Sequence, residues 1–188
     1  MNRLVVPLMA MFVLILASCS TDTELSEADG QRYLAHGKSV LMPFKKQLKG
    51  ALKQGLASGP DAAIAACNMR APEIVSELGQ QGIVVGRSSH KLRNPDNAAK
   101  PWMQPIIEAY QKPDSSKEPV LVPLGDDRYG YAEAIELTPM CVMCHGDPIG
   151  GEIKQRLTEL YPQDQAIGSK PGDFRGIFWT EFSATAVQ

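Results

Sequence analysis

The sequence predicts an α+β domain in which helices come first and a mainly antiparallel sheet follows. Three observations lead to this class. Apolar residues recur at helical spacing over the first third of the 188-residue chain, and short β-branched and aromatic runs replace them after Gly82. Gly125-Asp126-Asp127 then separates two of these runs, as the turn of a β-hairpin would.

The helical part is predicted to contain one long helix and two short ones. The long helix extends from Leu25 to about Leu56, with Pro43 as the point of a kink, and ends at Ser58-Gly59-Pro60. An alanine-rich helix over Asp61 to Met69 and a helix opened by Pro72 follow it. The apolar positions of the long helix are Leu34, Leu41, Phe44, Leu48, Leu52 and Leu56.

The remainder of the chain alternates between strands and connecting segments. The predicted elements are a strand over 82–86, a loop over 87–101, a helix over 102–110, strands over 119–124 and 129–137, a helix over 153–161 and an aromatic-rich strand over 176–183.

The N-terminus has the pattern of a bacterial lipoprotein signal over residues 1–18. Arg3 is followed by an apolar run and by Leu16-Ala17-Ser18-Cys19, which makes Cys19 the expected lipidated residue. The alternatives are a plain secretory signal and a transmembrane helix, although the run is shorter than the ~20 apolar residues that span a bilayer. Residues 19–26 are then a polar tether, and 27–188 form one domain.

This signal predicts a lipid-anchored protein of the bacterial cell envelope that faces the periplasm. Ser20 follows the lipidated position, and the absence of an aspartate there favours the outer membrane. The formal charge is −2, and about −3 once Arg3 is removed with the signal. No basic stripe is present, which argues against nucleic acid as a partner.

The stretch Cys141-Val142-Met143-Cys144-His145 is a single C-x-x-C-H motif. Two thiols at this spacing can form thioether bonds to one haem, and the next histidine can bind the iron from the proximal side. A zinc site is disfavoured because no second C-x-x-C or H-x-x-x-H occurs. A thioredoxin-like dithiol remains the main alternative, although that motif normally lies early, where a helix begins.

The second axial ligand remains open on residue patterns alone. Cys67 is a thiol left unpaired in an oxidising compartment, on an alanine-rich helix that could approach a flat porphyrin; it could equally be a small core residue. The other candidates are His36, His90, Met42, Met69 and Met103.

An ordered series of short motifs extends over about Glu27 to Phe182. The motifs are Ala62 to Cys67, Ala71-Pro72-Glu73-Ile74, Gly86-Arg87-Ser88-Ser89, Arg93 to Asn97, Trp102, and Cys141 to Gly146. This series resembles the single-haem c-type family with a PAS-like fold, long described as a domain of unknown function, which occurs alone or as the sensory part of bacterial signalling proteins. Met103 departs from the family pattern, in which an acidic residue follows the tryptophan.

The resemblance implies a PAS-like antiparallel sheet, His145 as proximal ligand and Cys67 as distal ligand of one covalent haem c. Arg87 and Arg93 flank the loop that the resemblance marks, and either could bind haem propionates. The competing interpretation for these arginines is a solvated charge or a bridge to Asp96.

With both axial positions filled and no catalytic set elsewhere, we expect no enzymatic activity. The expected role is a redox or small-gas sensor in which reduction releases Cys67 and a partner protein detects the change. A membrane-tethered electron carrier is the first alternative, and a thiol-disulfide oxidoreductase that uses the C-x-x-C motif is the second. By analogy with PAS-like domains, a homodimer could form through the segment from Leu25 to Leu56.

Overall fold

The computed structural model describes residues 25–187. The signal predicted over 1–18, the lipidated Cys19 and most of the tether over 19–26 lie outside these residues. No helix within 25–187 is long and apolar enough to cross a membrane.

The long first helix, α1, covers Glu27–Ser58. It begins where the side chain of Ser26 accepts a hydrogen bond from the backbone N–H of Asp29, which satisfies one of the free donors of the first turn. Pro43 lies inside the helix, and Gly59, with a φ of 111°, ends it. The prediction of one long helix that ends before Pro60 is therefore confirmed.

The two short helices predicted after α1 are one continuous helical segment. It consists of α2 (Pro60–Ala65), a π-helical turn (Ala66–Arg70) and α3 (Ala71–Gly79). The predicted break before Pro72 is absent because the π-helical turn directly before this proline already interrupts regular i→i−4 bonding, with Ala71 N–H donating to the Ala66 carbonyl.

Four strands within the described residues form one antiparallel sheet in the order β1-β4-β3-β2. Asp126 and Asp127 form the turn between β2 and β3 with φ values of 49° and 53°, as in the two-residue turns that match strand twist. This sheet and the helices before it confirm the predicted α+β class, while the PAS-like relationship stays a prediction. The remaining elements are β1 (Val84–Ser88), α4 (Gln104–Gln111), β2 (Val120–Gly125), β3 (Arg128–Glu136), α5 (Val142–His145), α6 (Gly151–Leu160) and β4 (Phe174–Ser183).

The first strand begins two residues later than predicted. Gly82 and Ile83 belong to the turn that ends α3, because their N–H groups donate to the carbonyls of Gly79 and Leu78. Gly82 has a φ of 77°, which glycine adopts without the steric cost that other residues incur.

The sheet is covered on both faces, and a third apolar group lies beside it. The first core cluster packs α1 and α3 on one face, and the second packs α4 on the other. The third joins α2 and α6 next to the C-x-x-C-H motif. Fully or nearly buried members are Leu41, Phe44, Ile74, Val85 and Tyr131 in the first cluster, Met103, Ile107, Tyr110, Ala132 and Ile177 in the second, and Ile64, Ile153, Leu157 and Tyr161 in the third.

A carboxylate on β4 ties two neighbouring segments to the sheet. Glu181 accepts hydrogen bonds from Lys100 Nζ at 2.7 Å, from Trp102 Nε1 at 2.9 Å and from Arg128 Nη2 at 2.8 Å. Burial alone would raise the pKa of the Glu181 carboxyl, but the bonds from Lys100 and Trp102 and the nearby positive charges lower it below its ordinary value.

We expect Glu181→Gln to lower the free energy of unfolding at pH 7 by about 2 kcal/mol, the range for hydrogen bonds to a charged group. The advantage of the wild type is complete above the ordinary glutamate pKa of about 4.3 and declines as pH falls through the lowered folded-state pKa. Urea unfolding of both proteins between pH 7 and about pH 3 checks this. Glu159→Gln, at an exposed pair with Arg156, is the control and should unfold as the wild type does. An equal gap at all pH values would contradict the assignment.

Candidate haem site

The C-x-x-C-H motif forms a single helical turn. The N–H groups of Cys144 and His145 both donate to the Cys141 carbonyl, at 3.2 and 3.0 Å, and Gly146 N–H donates to Val142 O at 2.8 Å. Cys141 and Cys144 are therefore on one side of α5. A Cβ on Gly146 would lie 2.5 Å from Val142 O, so the close return of the chain after His145 requires glycine.

Both thiols of the motif are free and half-buried. Cys141 Sγ lies 3.4 Å from the backbone N and 3.2 Å from Oγ1 of Thr138. Cys144 packs against the third core cluster, and this burial raises the pKa of its thiol. Thiols used in disulfide exchange need a lowered pKa, so the environment of Cys144 is unfavourable for that chemistry.

His145 is held with its ring in one orientation. Its Nδ1 lies 2.7 Å from the Ala166 carbonyl oxygen. Because a carbonyl can only accept, Nδ1 must carry the proton, and Nε2 keeps its lone pair. Burial, reinforced by the positive charges of Arg93 and Arg175, lowers the His145 pKa to about 3, so the imidazole is neutral at physiological pH. A neutral imidazole with a free Nε2 is what a metal ion requires of histidine.

The loop that supplies this carbonyl is fixed on both sides. Ser169 N–H donates to His145 O at 2.9 Å and Gly168 N–H to Gly146 O at 3.1 Å. At the start of the loop, the carboxylate of Asp164 accepts the N–H of Ala166 at 2.8 Å. Two backbone bonds and one bond to the Asp164 side chain therefore set the position of the Ala166 carbonyl.

Arg93 comes from the segment after β1, and its side chain holds this loop in place. Its side chain is 9% exposed, and its Nε donates to Asp164 Oδ2 at 2.9 Å. Its Nη2 donates to the carbonyls of Cys144 at 2.6 Å and Ala166 at 3.2 Å. The alternative interpretation, a bridge from Arg93 to Asp96, is wrong, since the ion-pair partner of Arg93 is Asp164. A propionate contact of Arg93 stays a prediction, with most of its donors already in use.

Cys67 lies in the π-helical turn, on the side of the C-x-x-C-H motif. Ionised Cys67 would raise the pKa of Cys144 and of Tyr161, so all three lie within electrostatic range. A π turn is wider than an α turn and is frequently found at functional sites. The structure thus places Cys67 within electrostatic range of the motif thiol Cys144, and its role as an axial ligand stays a prediction.

The other ligand candidates have different surroundings. Met103 is fully buried in the second core cluster, and His36 packs against the ring of Phe182 at 4.7 Å. His90 stacks on Phe174 with ring centroids 5.6 Å apart. The side chains of Met42 and Met69 are exposed.

Positive charge concentrates around His145. Arg87 and Arg175 both contribute to its lowered pKa, together with Arg93. Arg175, Asp164 and the Ala166 carbonyl do not follow from sequence patterns. The only signal for Arg175 is the glycine that follows it, which marks an irregular strand.

The residues present suit a covalent haem. The vinyl groups of haem find two free thiols on one helical turn, and its iron finds the neutral imidazole of His145. Nearby guanidinium groups suit its carboxylates. Within 25–187 no three histidine, cysteine or acidic side chains converge as they do around a bare metal ion.

We expect Arg93→Gln and Asp164→Asn each to lower the free energy of unfolding by about 3 kcal/mol, because each leaves an unpaired charge in a buried place. Their double variant should lose less than the sum of the two. Urea denaturation measures both effects, with Arg156→Gln, at an exposed pair, as a control expected to stay within about 0.5 kcal/mol. Unfolding midpoints equal to the control would show that the pair has no structural role.

The comparisons with known proteins agree with this fold. The crystal structure of the cyanobacterial heme-protein Tll0287 superposes with a TM-score of 0.60 at 17% sequence identity, over 85% of this chain and 97% of that one. No curated protein sequence matches this chain. The profile of the Tll0287-like family matches residues 20–183, most of the chain. The chain therefore belongs to the Tll0287-like family, which confirms the family predicted from its motifs.

Proposed function

We propose that this protein carries one covalent haem c, with Cys141 and Cys144 as the attachment thiols and with His145 and Cys67 as axial ligands. The observation that carries the proposal is the neutral His145, whose Nδ1 is engaged by the Ala166 carbonyl while two free thiols lie on the same helical turn. The description of the similar structure as a heme-protein supports it.

When bound, the haem supplies a one-electron redox centre whose iron has two axial positions. The chain's own residues then have separate tasks. Cys141 and Cys144 hold the group in place, and His145 presents Nε2 from a ring that Ala166 keeps in orientation. Cys67 is a strong ligand as a thiolate and a weak one once a proton is on Sγ.

We propose sensing as the role and no enzymatic activity. The supporting observation is that Cys67 lies in a π-helical turn between two α-helices, so its ligation state is linked to the conformation of a whole helical segment. A signalling or redox partner protein would detect that change, and a homodimer through α1 is part of the proposal by analogy.

An electron carrier is the second candidate. Exposed apolar side chains stand around the site, which suits transient contact with a redox partner. They are Met69, Met140, Met143 and Ile167. The third alternative, thiol-disulfide exchange, has the raised Cys144 pKa against it.

The proposed location is the bacterial cell envelope, facing the periplasm, with a lipid on Cys19 after removal of residues 1–18. The outer membrane is favoured by Ser20. This location also provides the compartment in which haem is attached to C-x-x-C-H motifs.

We expect protein made with c-type maturation machinery to keep its haem under denaturing conditions. Cys141→Ser or Cys144→Ser should leave one thioether bond and shift the pyridine haemochrome band, and the double variant should lose the haem on denaturation. Mass spectrometry of the intact chain checks the count of one haem. Absence of a haem band in the wild type would overturn the proposal.

We expect a low-spin ferric spectrum of thiolate type that changes ligation on reduction with dithionite. Cys67→Ala should remove the thiolate features and raise the midpoint potential, because an anionic ligand favours ferric iron. Met69→Ala, in the same π-helical turn but exposed, is the matched control and should keep the wild-type spectrum. A ligation state that is unchanged on reduction would favour the electron carrier.

A further inference from the structure

Arg175 stands at an irregularity of β4. In the pairing with β3, Ile135 faces Gly176 and Glu136 faces Phe174, so Arg175 is an extra residue without a partner position. Phe174 and Ile177 are three residues apart and both pack into the second core cluster. A regular strand would place them on opposite faces of the sheet. Arg175 therefore lies in a β-bulge, outside the regular alternation of the strand.

Gly176 makes this bulge possible. Its φ is 151°, and a Cβ there would lie 2.2 Å from Ser88 O, so no other residue fits without movement of β1. The bulge brings Arg175 to the end of β1, where its Nη1 donates to Ser89 Oγ at 2.7 Å and to Lys91 O at 3.0 Å. These bonds hold the guanidinium in a defined place.

The surroundings of Arg175 are short of negative charge. Burial, with the nearby charges of Arg93 and Arg87, lowers the Arg175 pKa to about 10. Asp164 is the carboxylate within electrostatic range, and it is already paired with Arg93. Within residues 25–187 neither Arg87 nor Arg175 forms an ion pair, although both are half-buried. Two half-buried guanidinium groups thus remain uncompensated beside His145.

We propose that Arg175 and Arg87 bind the two carboxylates of the haem, and that Arg93 does not. The charges match, because haem carries two propionates and the site leaves two cations unpaired. Guanidinium binds a carboxylate through two parallel hydrogen bonds, which a half-buried arginine can offer at little further entropy cost. Arg93, by contrast, is already paired with Asp164 through Nε and bound to two carbonyls through Nη2, so its charge is compensated and most of its donors are in use.

This inference rests on the proposed function, and a spectroscopic test separates the two. Resonance Raman spectra of the haem-loaded protein contain propionate bending bands whose position reports hydrogen bonding to the carboxylates. Arg175→Gln and Arg87→Gln should each shift one of these bands and lower the midpoint potential, since a positive charge near the iron favours the reduced state. The double variant should show both shifts. Arg156→Gln, an exposed arginine of α6, should leave bands and potential as in the wild type.

Arg175→Gln also loses the bonds to Ser89 and Lys91, so its folding could suffer independently of the haem. Arg175→Lys keeps the charge but loses the paired bonds, and Arg87 makes no hydrogen bond to other described side chains or backbone groups beyond its strand pairing. These two variants therefore decide the matter if Arg175→Gln does not fold. Wild-type band positions in haem-loaded Arg87→Gln and Arg175→Lys would overturn this inference alone. A wild-type protein without haem would overturn the proposed function instead.

Discussion

The buried ion pair between Arg93 and Asp164 is the interaction on which the site depends. Removing two charges from water is costly, and the pair is stable only because further hydrogen bonds satisfy both partners. These further bonds also position the site. Arg93 donates to the carbonyls of Cys144 and Ala166, and Asp164 accepts the Ala166 N–H. The carbonyl that orients His145 is thus a member of the same network. Stability and ligand orientation come from one set of contacts.

The same concentration of cations explains why His145 stays neutral. Arginines at the site act against a charged imidazole, in the same direction as burial. The arginines around His145 thus have two effects. They keep its imidazole neutral, so that Nε2 presents a lone pair, and they attract carboxylates to the margin of the site. The inner strand β4 contributes to both the core and the site. Its side chains enter the core clusters on both faces of the sheet, and its irregular end carries Arg175.

Local patterns predicted the elements with the strongest signals. The long α1, the Asp126-Asp127 turn and the C-x-x-C-H motif follow from spacing and residue type. The π-helical turn around Cys67 does not, because the helical segments on either side are too short for the shift in apolar spacing after one extra residue to be recognised. The partner of Arg93 was missed because Asp164 is distant in sequence, whereas Asp96 is near. Arg175 was missed because the predicted strand began at Gly176, so the bulge that holds this residue lay outside it.

The π-helical turn also limits changes in the number of residues between α2 and α3. A π turn contains one residue more than an α turn, so Ala66–Arg70 has the geometry of an α-helix that has taken up an insertion. Loss of any one residue there would restore regular α-helical bonding and improve the local helix. It would also rotate α2 by about 100° relative to α3, and either Ile64 or Ile74 would leave its core cluster. Chain length in this stretch is therefore constrained by the two cores that the helix joins, independently of which residues fill it.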